Sequence, residues 1–215
     1  MTYRITFAVR DRARFLSHLE TVDTLLSALR RAGYQVALSR AMRPRPVIAL
    51  ALPRAVGVQS EAELADVELT SEPATAELSQ RLSEQLPAGF ELIAAEPAVG
   101  KPAASRVRGV SYLIEVADDL DWGQAVERYL AADAAVVTRT APKKADKRID
   151  VRAFCTRISH GPDGLVADID LTEAGTARPE EVATAVAATI GATPTIIRLV
   201  RTDIVLREAP VGAPT

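Results

Sequence analysis

The 215-residue chain has a single cysteine, Cys155, so no disulfide can close within it. Its only histidines are His18 and His160, and no local spacing of carboxylates supplements them, which leaves too few ligands for a zinc site. Iron–sulfur ligation, which draws on several thiolates, fails on the same count. Aromatic residues make up 4% of the chain, so platforms for stacking single-stranded bases are scarce. No apolar run approaches the ~20 residues that span a bilayer. The first residues, Met1 to Phe7, alternate like a strand and do not form the apolar core of a signal peptide. With no catalytic motif either, the expectation is a cytoplasmic protein without metal, cofactor or membrane contact, and not an enzyme.

What the chain does have is an ordinary globular composition, 48% apolar and 25% charged, enough for one large or two small cores. Tyr3, Ile5, Phe7 and Val9 share one face at period two and predict a first strand. Ser17 followed by Glu20 has the form of a capping box. Behind it, Leu19, Val22, Leu25, Leu26 and Leu29 make the apolar stripe of a helix that stops at Gly33. Short strands are expected at Gln35–Leu38 and Val47–Leu52, and a further strand with Leu64, Val67 and Leu69 inward, interrupted by a bulge. Pro73 suits the first position of a second helix carrying Leu78, Leu82 and Leu86, and Phe90–Ala95 closes the half.

The same order recurs after Pro97–Gly109, a stretch of prolines and glycines that reads as a linker. A strand at Tyr112–Val116 precedes a helix capped by Asp121. Further strands are expected at Ala134–Thr138, Arg148–Ile158 and Leu165–Leu171. A helix from Pro179 to Ile190 and a last strand at Pro194–Leu206 complete the half. The implied architecture is α+β: two tandem ferredoxin-like (βαββαβ-type) halves with antiparallel sheets, at residues 1–96 and 110–207, joined by 97–109 and followed by a loose tail at 208–215. One continuous sheet with its helices on a single face is the alternative.

Net charge is −2, but it is segregated. Residues 1–60 carry a balance of +7 and residues 61–100 one of −8; between Asp23 and Glu61 there is no acid at all. That acid-free span holds Arg30, Arg31, Arg40, Arg43, Arg45 and Arg54, with a basic loop at 39–47 stiffened by Pro44 and Pro46. The second half has a counterpart in Arg139, Lys143, Lys144, Lys147 and Arg148. Two such loops at matching places would line a cleft that attracts phosphate, for which arginine has the bidentate geometry. The competing reading pairs these arginines with the glutamates of 61–100, giving a mixed, solvated surface.

Other candidates are isolated. His18, at the first turn of the first helix, is the one conceivable general base, and it has no evident second group. Asp150 and Arg152 read as an ion pair along a strand. Cys155 reads as buried and inert.

Phe15-Leu16-Ser17-His18-Leu19-Glu20, Ala28-Leu29-Arg30-Arg31-Ala32-Gly33, Ser39, Pro44, Pro46 and Leu52-Pro53 together resemble the N-terminal pattern of the radical-SAM-linked proteins. Ile149-Asp150-Val151-Arg152 and Arg201-Thr202-Asp203 resemble the second half of that family. Its function is undetermined, and its members stand alone or are fused behind a radical SAM enzyme. Where the family has a loop resembling Gly-Phe-Asn-Pro-His-Pro-Lys, this chain has Ala41-Met42-Arg43-Pro44-Arg45-Pro46-Val47. The glycine, aromatic, histidine and lysine of that loop are gone and two arginines are added, from which the expectation is that anion binding is kept and proton transfer lost. At the level of fold alone the family is also similar to tandem ferredoxin-like CRISPR RNA-processing endoribonucleases.

The expectation drawn from charge and resemblance together is an accessory protein that binds structured RNA, tRNA or rRNA, for a radical SAM modification enzyme. Its phosphate contacts would be Arg30, Arg31, Arg40, Arg43, Arg45, Lys143, Lys144, Lys147 and Arg148. An adaptor docking on such an enzyme without touching RNA, and a metal-independent endoribonuclease using His18, are the rival expectations.

Overall fold

The computed structural model describes residues 1–117, 119–140 and 145–207. The chain divides into two compact units: Met1–Val107 together with Leu206 and Arg207, and Arg108–Val205.

Unit 1 contains β1 (Thr2–Val9), α1 (His18–Arg31), β2 (Ile48–Leu50), β3 (Gln59–Glu68), α2 (Thr75–Ser83) and β4 (Phe90–Pro97). β1 pairs antiparallel with β3 on one side and β4 on the other, and β2 pairs antiparallel with β3. Strand order is therefore β4-β1-β3-β2, the split β-α-β arrangement in which each helix returns the chain across the sheet. One buried cluster joins Tyr3, Ile5, Phe7 and Val9 of β1 to Leu25, Ala28 and Leu29 of α1 and Leu78 and Leu82 of α2. Each of the larger aliphatic side chains contributes ~1.5–3 kcal/mol by leaving water. The capping box of α1 forms as expected: Ser17 Oγ accepts from the Glu20 amide while Glu20 Oε2 accepts from the Ser17 amide.

Unit 2 contains β5 (Val107–Val116), α3 (Trp122–Ala131), β6 (Val136–Arg139), β7 (Lys147–Asp150), β8 (Cys155–Gly161), β9 (Gly164–Asp170), α4 (Pro179–Ala188) and β10 (Ile196–Leu206). Its sheet runs β10-β5-β9-β8, and β6 and β7 form a separate antiparallel pair. With that hairpin set aside, elements and strand order repeat those of unit 1. The β8–β9 turn depends on Gly164: its φ is +124°, and a Cβ there would lie 2.3 Å from the Ile114 carbonyl oxygen.

Several expectations need correcting. Leu19 is 72% exposed and leaves the helical stripe, its place in the buried face being taken by Thr21. The inward phase of β3 is Glu63, Ala65, Val67 and Leu69, so Leu64 sits on the opposite face, and the register irregularity falls near Val9 and Ser60. Gln35–Leu38 is not a strand; it makes only the isolated bridges Val36–Leu69 and Leu38–Pro46. Pro73 precedes the cap residue Ala74 instead of opening α2. The single strand expected at Arg148–Ile158 is broken by a 3₁₀ turn at Val151–Ala153. The stretch 97–109 is structured as well: Ala103 is buried, its amide donates to Asp66 Oδ2 at 2.6 Å, and β5 begins at Val107. The tail 208–215 lies outside the described residues. Among the described residues no helix is long and apolar enough to cross a membrane.

Candidate nucleic-acid interface

The first basic loop is the tip of a narrow hairpin. The Val47 amide donates to the Ala37 carbonyl at 2.8 Å, and the Ser39 amide donates to the Arg45 carbonyl at 2.8 Å. Ser39 Oγ accepts from the Arg45 amide at 3.1 Å, so one serine ties the neck of the tip from both directions. The hairpin is fixed to β3 through Ala37 N–H to Glu68 O and Glu68 N–H to Val47 O. Arg40, Arg43 and Arg45 are exposed on this tip, with Met42 fully exposed among them. None of the ion pairs among the described residues involves these three arginines.

Four acids of the 61–100 segment are held in ion pairs away from the hairpin. Asp66 takes Arg4, Glu61 and Glu91 both take Arg10, and Glu77 takes Arg81. Mutual neutralisation of the basic and acidic segments thus occurs for Arg4 and Arg10, on β1 and just after it, and leaves the hairpin charged. Arg54 is buried and structural, its guanidinium donating to the carbonyls of Arg14, Leu16 and Val58. Arg31 is exposed but donates from Nη2 to the Gln85 carbonyl at 2.6 Å, tying the end of α1 to the end of α2. Arg30 is exposed one residue earlier and makes no such bond to a described residue.

The second basic loop also belongs to a hairpin, β6–β7, inserted at the matching topological position between the first helix and the second main strand of its unit. Lys147 lies opposite Arg139, and Arg148 opposite Thr138; Lys147 and Arg148 are exposed. Lys143 and Lys144 lie outside the described residues. Arg139 is not available to a ligand, because Glu181 grips its Nε at 2.5 Å and Nη2 at 2.6 Å, and the Thr176 carbonyl takes Nη2 as well. Burial opposes charge on Glu181, but the Arg139 hydrogen bonds and the Arg178 amide outweigh it and hold the carboxyl below the usual glutamate range.

His18 does not acquire a catalytic partner. Its Nδ1 is buried without a hydrogen bond, and no acid or base among the described residues bonds to its ring. Asp150 and Arg152 do not pair. Asp150 Oδ1 accepts from the Ala135 and Arg152 amides, while the Arg152 guanidinium lies 5.2 Å from the centre of the Tyr129 ring. Cys155 is buried, as its composition and neighbours suggested, and burial pushes its thiol up. No cluster of three metal-ligating side chains occurs among the described residues.

Sequence reasoning missed a groove of about 480 Å³ at the base of the first hairpin, lined by Leu26, Tyr34, Val36, Leu38 and Pro46 with Arg30, Gln35 and Thr70. Leu38 ends the short strand expected at Gln35–Leu38; in the structure it is largely exposed on the groove wall. The only signal in the sequence was the basic loop's short apolar flanks.

A chain in the crystal structure of a Cbf5-Nop10-Gar1 complex is similar to this one at 12% identity and a TM-score of 0.48, over 93% of this chain and 48% of that one. The chain thus spans about half the length of that neighbour. No curated protein matches it. Residues 2–193 match a family model, and the chain belongs to the family described as an uncharacterized protein conserved in bacteria (DUF2344).

Proposed function

We propose that the chain is an accessory protein that binds structured RNA, tRNA or rRNA, and presents it to a radical SAM modification enzyme. The observation that carries the RNA part is the first hairpin: Arg40, Arg43 and Arg45 stand exposed on a tied tip, with no carboxylate among the described residues bonded to them, in a chain whose net charge is −2. Solvated, unneutralised guanidinium groups on a preorganised loop suit phosphate, which they grip through paired N–H donors while counterions are released. Lys147 and Arg148 on the second hairpin supply the same chemistry from unit 2. The enzyme partner rests on the sequence resemblance to radical-SAM-linked proteins.

The test is a binding titration of the full chain against bulk tRNA from 50 to 200 mM salt (a range over which phosphate-driven binding weakens steeply), beside the triple variant Arg40→Ala, Arg43→Ala, Arg45→Ala. Expected are salt-sensitive binding by the parent and weakened binding by a variant that keeps its circular dichroism. Absence of binding at low salt, or binding indifferent to salt, would end the proposal. A radical SAM partner that co-purifies after nuclease treatment, from a chain that does not bind RNA, would put the adaptor role in its place.

A further inference from the structure

The groove beside the arginine hairpin has an apolar body and a polar rim, and the two match different parts of one kind of ligand. Its walls are Leu26 from α1, Val36, and the bridged pair Leu38 and Pro46, which is also the base of the hairpin. Tyr34, 7% exposed, also lines it. On the rim stand the exposed Arg30 and the exposed Gln35 carboxamide, which has both a donor and an acceptor and bonds to no other described residue. Arg40, Arg43 and Arg45 follow within a few residues along the same hairpin.

An occupant must therefore bring a flat or compact apolar body, hydrogen-bonding edges near Gln35, and negative charge on the side of Arg30 and the hairpin. A peptide with an acidic residue satisfies the charge once; a nucleotide strand satisfies it at every step. A bilayer surface would suit the exposed Met42, but it cannot enter a concave groove. We propose that this groove receives an unpaired base of the bound RNA while the hairpin arginines hold the flanking phosphates. The chain would then prefer RNA with a loop, bulge or single-stranded segment to a perfect duplex, whose bases are stacked inside and whose deep major groove is closed to side chains. This rests on the RNA-binding reading and narrows it.

The full chain is titrated with three fluorescein-labelled probes at one salt concentration: a 20-nucleotide single strand, the same sequence in a perfect duplex, and anionic phospholipid vesicles. The parent is expected to favour the single strand over the duplex by on the order of tenfold. Gln35→Ala, and the double variant Gln35→Ala with Leu38→Ala, should bring the single strand down to the duplex affinity and leave the duplex affinity unchanged. Both positions are exposed, so folding is spared, and Gln35→Ala alone tests the rim without touching an apolar wall. Equal affinity of the parent for both RNAs, or a preference that survives both variants, overturns the groove assignment while general RNA binding stands. Binding to vesicles without binding to either RNA overturns both.

Discussion

Arg4 and Asp66 face each other across β1 and β3 and form a two-pronged ion pair, Nε to Oδ1 at 2.8 Å and Nη2 to Oδ2 at 3.1 Å. The same Oδ2 accepts the buried Ala103 amide at 2.6 Å. One carboxylate thus binds a strand neighbour and fastens the segment between β4 and β5. Asp66→Ala strands a guanidinium and a buried amide at once, and is expected to cost about 2–4 kcal/mol. Asp66→Asn keeps an acceptor for Ala103 and should lose less. Urea unfolding of both variants, read by circular dichroism, checks the magnitude and the order.

How much of this was readable beforehand follows from what hydrophobic period can register. Tyr3, Ile5, Phe7 and Val9 were plain because every second residue of β1 is apolar and buried. On β3 the sequence places Val67 and Leu69 correctly and misplaces only Leu64, because the inward position next to it is taken by a charged residue, Glu63, 1% exposed, which hydrophobic period does not register. Leu19 continues the helical spacing of Val22, Leu25, Leu26 and Leu29, yet in the first turn of α1 it is exposed, and Thr21 is buried in its place. The charge segregation was visible; its resolution was not. Arg10 finds Glu61 and Glu91 only once three strands are side by side, and Arg139 finds Glu181 across 42 residues of chain. The groove at Leu38 was invisible because it exists only where Val36 and Leu38 make bridges instead of a ladder.

Arg139 and Glu181 make a prediction about acid stability. Glu181 has a folded pKa below its ordinary value near 4.5. A depressed carboxylate stabilises the fold fully above its unfolded pKa and loses that contribution as pH falls through the folded one. The parent should therefore lose stability below about pH 4.5 partly through this residue, and Glu181→Gln should be less stable at pH 7, with the gap narrowing as pH falls below the ordinary glutamate range. A cost of about 1.5–3 kcal/mol at neutral pH is expected for a charge-bonded pair of this kind. Thermal melts of both proteins at pH 3 to 7 would show the two curves converging in acid; a constant gap would mean that the ion pair carries none of it.

Ser17 holds the entry of α1 through the reciprocal bonds with Glu20. Ser17→Ala should cost about 1 kcal/mol, with no change in RNA binding, because neither residue belongs to the hairpin or the groove. A variant that lost binding while keeping its melting temperature would place part of the interface at the helix start, next to His18.

Cys155 is 3% exposed, with Sγ 3.3 Å from the Arg157 carbonyl oxygen, and its thiol is pushed up by burial. Thiolate is the reactive form, so both access and ionisation are suppressed in the folded chain. Alkylation by iodoacetamide at pH 8 should be negligible under native conditions and should become rapid on adding denaturant, across the same concentrations at which unit 2 unfolds. Rapid labelling in native buffer would show that β8 opens without the rest.

The salt dependence of RNA binding can count the hairpin's contacts. Each phosphate neutralised lowers the slope of log affinity against log salt by about 0.7 to 0.9. If Arg40, Arg43 and Arg45 each meet one phosphate, removing all three should flatten the slope by about two to three. Single replacements should each flatten it by a little under one, in additive steps, because none of the three shares an ion pair with another described residue. Replacing Arg54 gives the contrasting outcome: its guanidinium is buried on the carbonyls of Arg14, Leu16 and Val58, so Arg54→Ala should lower stability instead. A triple hairpin variant whose slope matches the parent's would mean that the phosphates are met elsewhere, and the exposed tip would lose its assigned role.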